Sequence, residues 1–135
     1  MPGRAFADSN VLVYAYTNSD LQKQSLARDL LKDQSCIIST QVLLETTNVL
    51  VRKNRLSYAD AGHLLAGQLD RALISTTPEL VQESWRISER YRFSIFDSAI
   101  VAAAISARCK ILYTEDLQHD QRIEGVRIVN PFLPK

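Results

Sequence analysis

Asp8, Glu45, Asp97 and Asp116 are the residues of this chain whose type and setting suit them for chemistry. Asp8 directly follows a short apolar lead, residues 4–7, and Asp116 stands two residues past the run Ile111-Leu112-Tyr113-Thr114. Taken singly, each is better read as a cap or turn residue, because Asp is favoured where a chain leaves a strand. Asp97 resists that reading. It lies in Ile95-Phe96-Asp97-Ser98-Ala99-Ile100-Val101-Ala102-Ala103-Ala104-Ile105, which is apolar on nearly all sides of a helix. Ser94 and Asp97 have the spacing of a capping pair, but such boxes prefer Glu or Gln at the later position. A buried ionised carboxylate costs on the order of several kcal/mol unless a cation or hydrogen bonds meet it. With residues set ~100° apart on a helix, Glu45 falls at the border of an apolar arc made by Val42, Leu43, Val49 and Leu50. Four carboxylates brought to one concavity repel each other unless divalent cations neutralise them. An all-oxygen donor set favours Mg²⁺ or Mn²⁺. Two such ions, roughly 3.5 to 4 Å apart, activate water and stabilise the leaving oxygen in phosphodiester hydrolysis, and a single ion is the alternative.

The elements that must position these acids are short. Apolar runs predict strands at residues 4–7, Cys36–Ser39, Ala72–Ser75, Ile111–Tyr113 and Val126–Val129. The run Val11–Tyr16 reads as a strand passing into a helix, and helical spacing follows from Asp20 to Lys32. Thr40 is the expected cap of a helix running to about Lys53. Ser57 with Asp60 resembles a capping box for a helix from Tyr58 to about Asp70. Thr77-Pro78 is a helix start that leads to about Tyr91, with Trp85 expected in the core. A further helix spans Ile95 to Ala107, opened by Ser94. Short apolar strands alternating with helices imply a mainly parallel sheet covered on both faces, a three-layer α/β/α sandwich. At 135 residues, one domain over 1–135 is the expectation. Ligands in such sheets gather beyond the carboxyl ends of the strands. The acids fall there.

Asp8-Ser9-Asn10-Val11-Leu12, Glu45 in Ser-Thr-Gln-Val-Leu-Leu-Glu, Phe96-Asp97-Ser98-Ala99-Ile100 and Thr114-Glu115-Asp116 stand in one order along the chain. Together they resemble the PIN-domain nucleases over essentially the whole length, and most closely the small VapC-like toxins of toxin–antitoxin pairs. That resemblance implies an α/β/α fold, Mg²⁺- or Mn²⁺-dependent endoribonuclease activity, frequent homodimers, and a cognate antitoxin whose peptide lies across the acidic groove. By position it makes Asp8 and Asp97 the principal metal ligands, Glu45 a second acidic position and Asp116 the fourth, often acting through water. Ser9 and Thr114 match the family's hydroxyl positions, where hydrogen bonds would orient the carboxylates, although ordinary capping explains them too. Glu115 and Asp120 compete with Asp116 for the fourth place.

Composition limits the partners. Sixteen Lys and Arg stand against fifteen Asp and Glu, so no global basic field announces a nucleic acid. RNA contact must be local, with Arg52, Lys53 and Arg55 or Arg86, Arg90 and Arg92 as candidate patches. Cys36 and Cys109 sit in or beside apolar segments without metal-ligand spacing, as buried thiols do. No basic run leads into an apolar one at the start, and no stretch approaches the ~18 apolar residues of a membrane span, so a cytoplasmic protein is expected. His63 and His119 carry no catalytic assignment, because an acidic metal site needs no imidazole. Two rival functions are an aspartyl phosphotransferase with Asp8 as nucleophile and an inactive module that binds RNA or protein. The first lacks an Asp at Asn10 and a Lys at Tyr113 or Thr114, and the second is opposed by the presence of all four acids.

Overall fold

The computed structural model describes residues 4–134. In chain order the elements are β1 (Ala5–Ala7), α1 (Ser9–Tyr16), α2 (Leu21–Lys32), β2 (Cys36–Ser39), α3 (Thr40–Arg52), α4 (Tyr58–Leu65), a 3-10 segment (Ala66–Asp70), β3 (Leu73–Ile74), α5 (Pro78–Tyr91), α6 (Ile95–Ser106), β4 (Ile111–Tyr113), β5 (Arg122–Ile123) and β6 (Val126–Val129). The strands form one sheet in the order β3-β2-β1-β4-β6-β5. All neighbours are parallel except β5 and β6. Helices cover both faces, which makes the three-layer α/β/α sandwich expected from the alternation of elements.

The helix starts follow side-chain chemistry. Asp20, Ser57, Thr77 and Ser94 each accept a hydrogen bond from a backbone N–H three residues on, and Pro78 occupies the first turn of α5. The cap of α3 is Ser39, whose hydroxyl accepts from Val42 N, and not Thr40, which is already helical. The run Val11–Tyr16 is helical throughout, so the strand ends at Ala7 and Asp8 caps α1. The helix expected from Tyr58 to Asp70 closes at Leu65 and continues as 3-10.

The core holds β1, β2, β4 and β6 with α6 laid across them. Every residue of α6 from Ser98 to Ala104 is buried, in keeping with its unbroken apolar sequence. Helix α5 packs on α6 through Leu80, Ser84 and Ile87. Trp85 points away from that stripe and is 61% exposed, which corrects its expected place in the core. Its angle explains this. At 100° per residue, position 85 lies a quarter-turn or more from 80, 84 and 87. Cys36 and Cys109 are buried free thiols, and burial pushes both up to about 11. Among the described residues no helix is long and apolar enough to cross a membrane.

One strand escaped sequence reading. β5 pairs with β6 through Glu124-Gly125, both at positive φ (49° and 91°). A two-residue hairpin turn with φ positive at both central residues matches the right-handed twist of the strands it joins.

Candidate active site

Strand order reverses beside β1, since the chain leaves β1 to build β2 on one side and returns later to place β4 on the other. In an open parallel sheet the crevice beyond the carboxyl ends at such a switch point is where ligands bind. Asp8 leaves β1 and Thr114 leaves β4 at this point, joined by the hydrogen bond from Asp8 N to Tyr113 O (3.0 Å). Helices α1 and α3 begin there because they directly follow β1 and β2. Three helix N-termini carrying partial positive charge therefore belong to the elements that supply Asp8, Glu45 and Asp97.

Asp8 is 3% exposed. Its Oδ1 accepts from Ser9 N (2.6 Å) and its Oδ2 from the Thr114 hydroxyl (2.9 Å). Burial raises its pKa to about 7. The Ser9 N–H and Thr114 hydroxyl pull the other way, and the nearby Glu45 and Asp116 carboxylates add to the rise. Glu45 is half-buried on α3, as its position on the apolar arc implies. Burial raises it above the ordinary carboxyl range, Gln41 and the Ser9 hydroxyl oppose that, and Asp97 and Asp116 reinforce it. Asp97, in the first turn of α6, is raised by burial, lowered by Ser94 and raised again by Asp116. Its backbone N–H donates to Ser94 Oγ (3.2 Å). Gln41 Nε2 ties the two helices together, donating to Glu45 Oε2 (3.4 Å) and to Phe96 O (3.2 Å).

Asp116 is exposed, and its Oδ2 accepts from Asn10 Nδ2 (3.1 Å). The two competitors for its place are engaged elsewhere. Glu115 accepts from Tyr14 Oη (2.8 Å) and pairs with Lys23 (3.5 Å), while Asp120 is held by Arg127 and His119. His119 Nδ1 accepts from Asn130 N (2.9 Å), so this imidazole serves the loop. His63 is exposed on α4. In the sequence Asn10 stands in the Asp8-Ser9-Asn10 motif and where an aspartyl phosphotransferase would carry a second Asp, with no site role of its own. Its spacing from Asp8 is the one signal that marked it, since Asn is ordinary in a first helical turn.

The mutual charge effects bring Asp8, Glu45, Asp97 and Asp116 into one electrostatic group. Among the described residues none of the four forms an ion pair with Lys, Arg or His. Among the same residues no three acidic, imidazole or thiol groups are gathered tightly enough to make a ready-formed metal cage. The acids are thus near enough to feel one another's charge without forming a closed cage. Their chemistry, oxygen donors whose mutual repulsion favours added positive charge, fits a hard divalent cation. A groove of about 520 Å³ leads off from Ser9, Asn10 and Asp116 toward Lys53 and Asn54 at the end of α3. Lys53 has no ion-pair partner among the described residues, whereas Arg86 is bound to Glu83 and Glu124. Of the candidate basic residues, Lys53 is the one that lines this groove with Asp116.

A search of curated proteins finds no match. Among solved structures, a sarcin-ricin-loop-cleaving VapC toxin of Mycobacterium tuberculosis superposes with a TM-score of 0.68 at 21% identity, covering 83% of this chain and 89% of that one. A toxin–antitoxin complex from Klebsiella pneumoniae gives 0.72 at 19% identity, covering 95% and 98%. The DNA-bound VapBC complex of Salmonella typhimurium gives 0.65 at 20%, covering 95% and 97%. These likenesses are of fold. The PIN domain description matches residues 5–123, from β1 to the end of β5 and across all four acids, and this chain belongs to the PIN domain family.

Proposed function

We propose that the protein is a Mg²⁺- or Mn²⁺-dependent endoribonuclease and the toxin of a toxin–antitoxin pair. One observation carries this reading: four carboxylates at the switch point of a parallel sheet have no cationic partner among the described residues. Asp8, Asp97 and Asp116 would hold the ion. Once bound, it would supply positive charge that polarises the scissile phosphate and acidifies the attacking water. Glu45, with its carboxyl raised by burial, is suited to accept a proton from that water at an oxygen not engaged by Gln41 Nε2. Ser9 and Thr114 orient Asp8, one through its N–H and one through its hydroxyl. Lys53 and Asn54 offer a cation and an amide to the phosphates of flanking nucleotides along the groove. Asp8 is unsuited to act as an in-line nucleophile, because it is buried and both its oxygens are engaged.

A protein antitoxin completes the reading, supported by similar solved structures that are toxin–antitoxin complexes. A homodimer belongs to it as well. Leu44, Ile95 and Phe96 are exposed around an apolar groove and offer surface for pairing. Sedimentation as a monomer at micromolar concentration would remove the dimer from the reading.

The test of the function is cleavage of a mixed RNA pool, ribosomal and transfer RNA included, by purified partner-free protein. Cutting is expected with Mg²⁺ or Mn²⁺ and none with EDTA. RNA binding without turnover under every metal would leave a binding module instead.

A further inference from the structure

Asn10 donates twice from one nitrogen, to Thr114 Oγ1 (3.2 Å) and to Asp116 Oδ2 (3.1 Å). Thr114 Oγ1 also accepts from Asp116 N (3.1 Å). A hydroxyl has two acceptor lone pairs and one proton. With both lone pairs taken, the Thr114 proton has one direction left, toward Asp8 Oδ2 at 2.9 Å. The Asn10 carboxamide thus sets the hydroxyl that orients Asp8 and also holds the carboxylate of Asp116. No other side chain among the described residues hydrogen-bonds the Asp116 carboxylate.

The other end of the same amide bears a cost. Asn10 Oδ1 is buried without a hydrogen-bond partner, the one such side-chain atom among the described residues. Buried polar groups are normally satisfied, and an exception calls for a reason. Turning the amide over would face Oδ1 toward the acceptor Asp116 Oδ2 and let it compete with Asp8 for the one Thr114 proton. Keeping both donors aimed at the acids leaves Oδ1 unmet. A residue present only to start α1 would not need this arrangement, because Asp8 already caps that helix.

We propose that Asn10 is the positioning residue that couples Asp8 and Asp116 into one unit, so that a divalent ion meets both carboxylates in a fixed relative orientation. This rests on the metal-dependent reading of the site. Carboxylates that hold metals are themselves oriented by hydrogen bonds, and losing such a partner typically weakens the metal about 10- to 100-fold.

The experiment is Mn²⁺ binding to metal-stripped protein, followed by calorimetry, for the wild type, Asn10→Ala, Asp116→Ala and the double variant, each checked for folding by its melting curve in EDTA. Asn10→Ala is expected to bind Mn²⁺ at least about tenfold more weakly while remaining folded. In the Asp116→Ala background the same substitution should cost clearly less, because part of its target is gone. A residue that only supports the helix would lower the melting temperature and leave Mn²⁺ affinity alone. Should Asn10→Ala not fold, Asn10→Ser, too short to reach both partners, takes its place in the cycle. Unchanged affinity, or losses that add fully, overturns the coupling while leaving the metal site intact. Wild-type protein that binds no Mn²⁺ overturns the metal reading and this inference with it.

Discussion

Asp97→Asn is expected to reduce metal-dependent RNA cleavage by about 10³-fold or more, while the metal-free protein stays as stable as the parent or becomes more stable. The activity loss follows from the charge on the ion's ligands. Metal catalysis supplies several kcal/mol of transition-state charge stabilisation, and every 1.36 kcal/mol is tenfold in rate. The stability follows from the setting. The Asp97 carboxyl is raised by burial and by Asp116, so in the absence of metal its charge opposes the fold. Against that stands its favourable place in the first turn of α6, worth about 0.3–1 kcal/mol. The cap itself survives, because the bond to Ser94 Oγ comes from the backbone N–H of residue 97 and not from its side chain. Single-turnover cleavage and melting in EDTA measure the two halves separately. Activity above a tenth of the parent's would remove Asp97 from the site, and a collapsed fold would make it a structural residue. Asp8→Asn is the less clean probe. Its amide would face either the Ser9 N–H or a Thr114 hydroxyl whose lone pairs are both taken, so one hydrogen bond is lost in either orientation.

Legibility differed from residue to residue for identifiable reasons. Five of the six strands, the helices and most caps could be read because their signals are local. Ser94, Thr77-Pro78 and Ser57 act on backbone groups three residues away or fewer. Asp97 stood out because a carboxylate inside an unbroken apolar helix demands a reason. Trp85 lies off the buried stripe that Leu80, Ser84 and Ile87 define on α5, so its angle outweighs the apolar size that suggests a core place. β5 was missed because its two residues, Arg122 and Ile123, form no apolar run, whereas the equally short β3 lies inside Ala72-Leu73-Ile74. Gly125 between Ile123 and Val126 was its one available signal. The loop acids illustrate the limit most directly. Glu115, Asp116 and Asp120 are equivalent in sequence, and their separation comes from distant partners: Tyr14 and Lys23 bind the first, Arg127 the last. Asn10 belongs to the same class. Its partners lie 104 and 106 residues away, so its one local signal, the place two residues after Asp8, does not reveal them.

The second large effect is on stability. In EDTA the protein is expected to lose about 2–3 kcal/mol between about pH 5 and pH 8, and divalent metal should reverse the trend. Asp8 carries the sign. Its ordinary value is 3.8 and its folded value about 7, so between these the folded state holds a proton that the unfolded state has released. Stability then falls with rising pH, by at most about 1.36 kcal/mol per pH unit, and levels off once the folded carboxyl has ionised. Glu45 and Asp97 are raised as well and act in the same direction. Asp33, Asp120 and Glu124 are lowered by their partners, so their contributions have the opposite sign. Those are lost only as pH falls from the ordinary carboxyl range through the lowered folded values, below the window in question. A divalent ion binds the ionised acids, so it stabilises more at pH 8 than at pH 5. Urea unfolding at the two pH values, with EDTA and with Mg²⁺, reads all four quantities. Asp8→Asn should flatten the EDTA slope even though it sacrifices a hydrogen bond, because the titrating group is gone. Stability that rises with pH in EDTA would mean that the buried Asp8 carboxylate is already balanced by the Ser9 N–H, the Thr114 hydroxyl and the nearby helix N-termini. The acids would then need no cation to stand together.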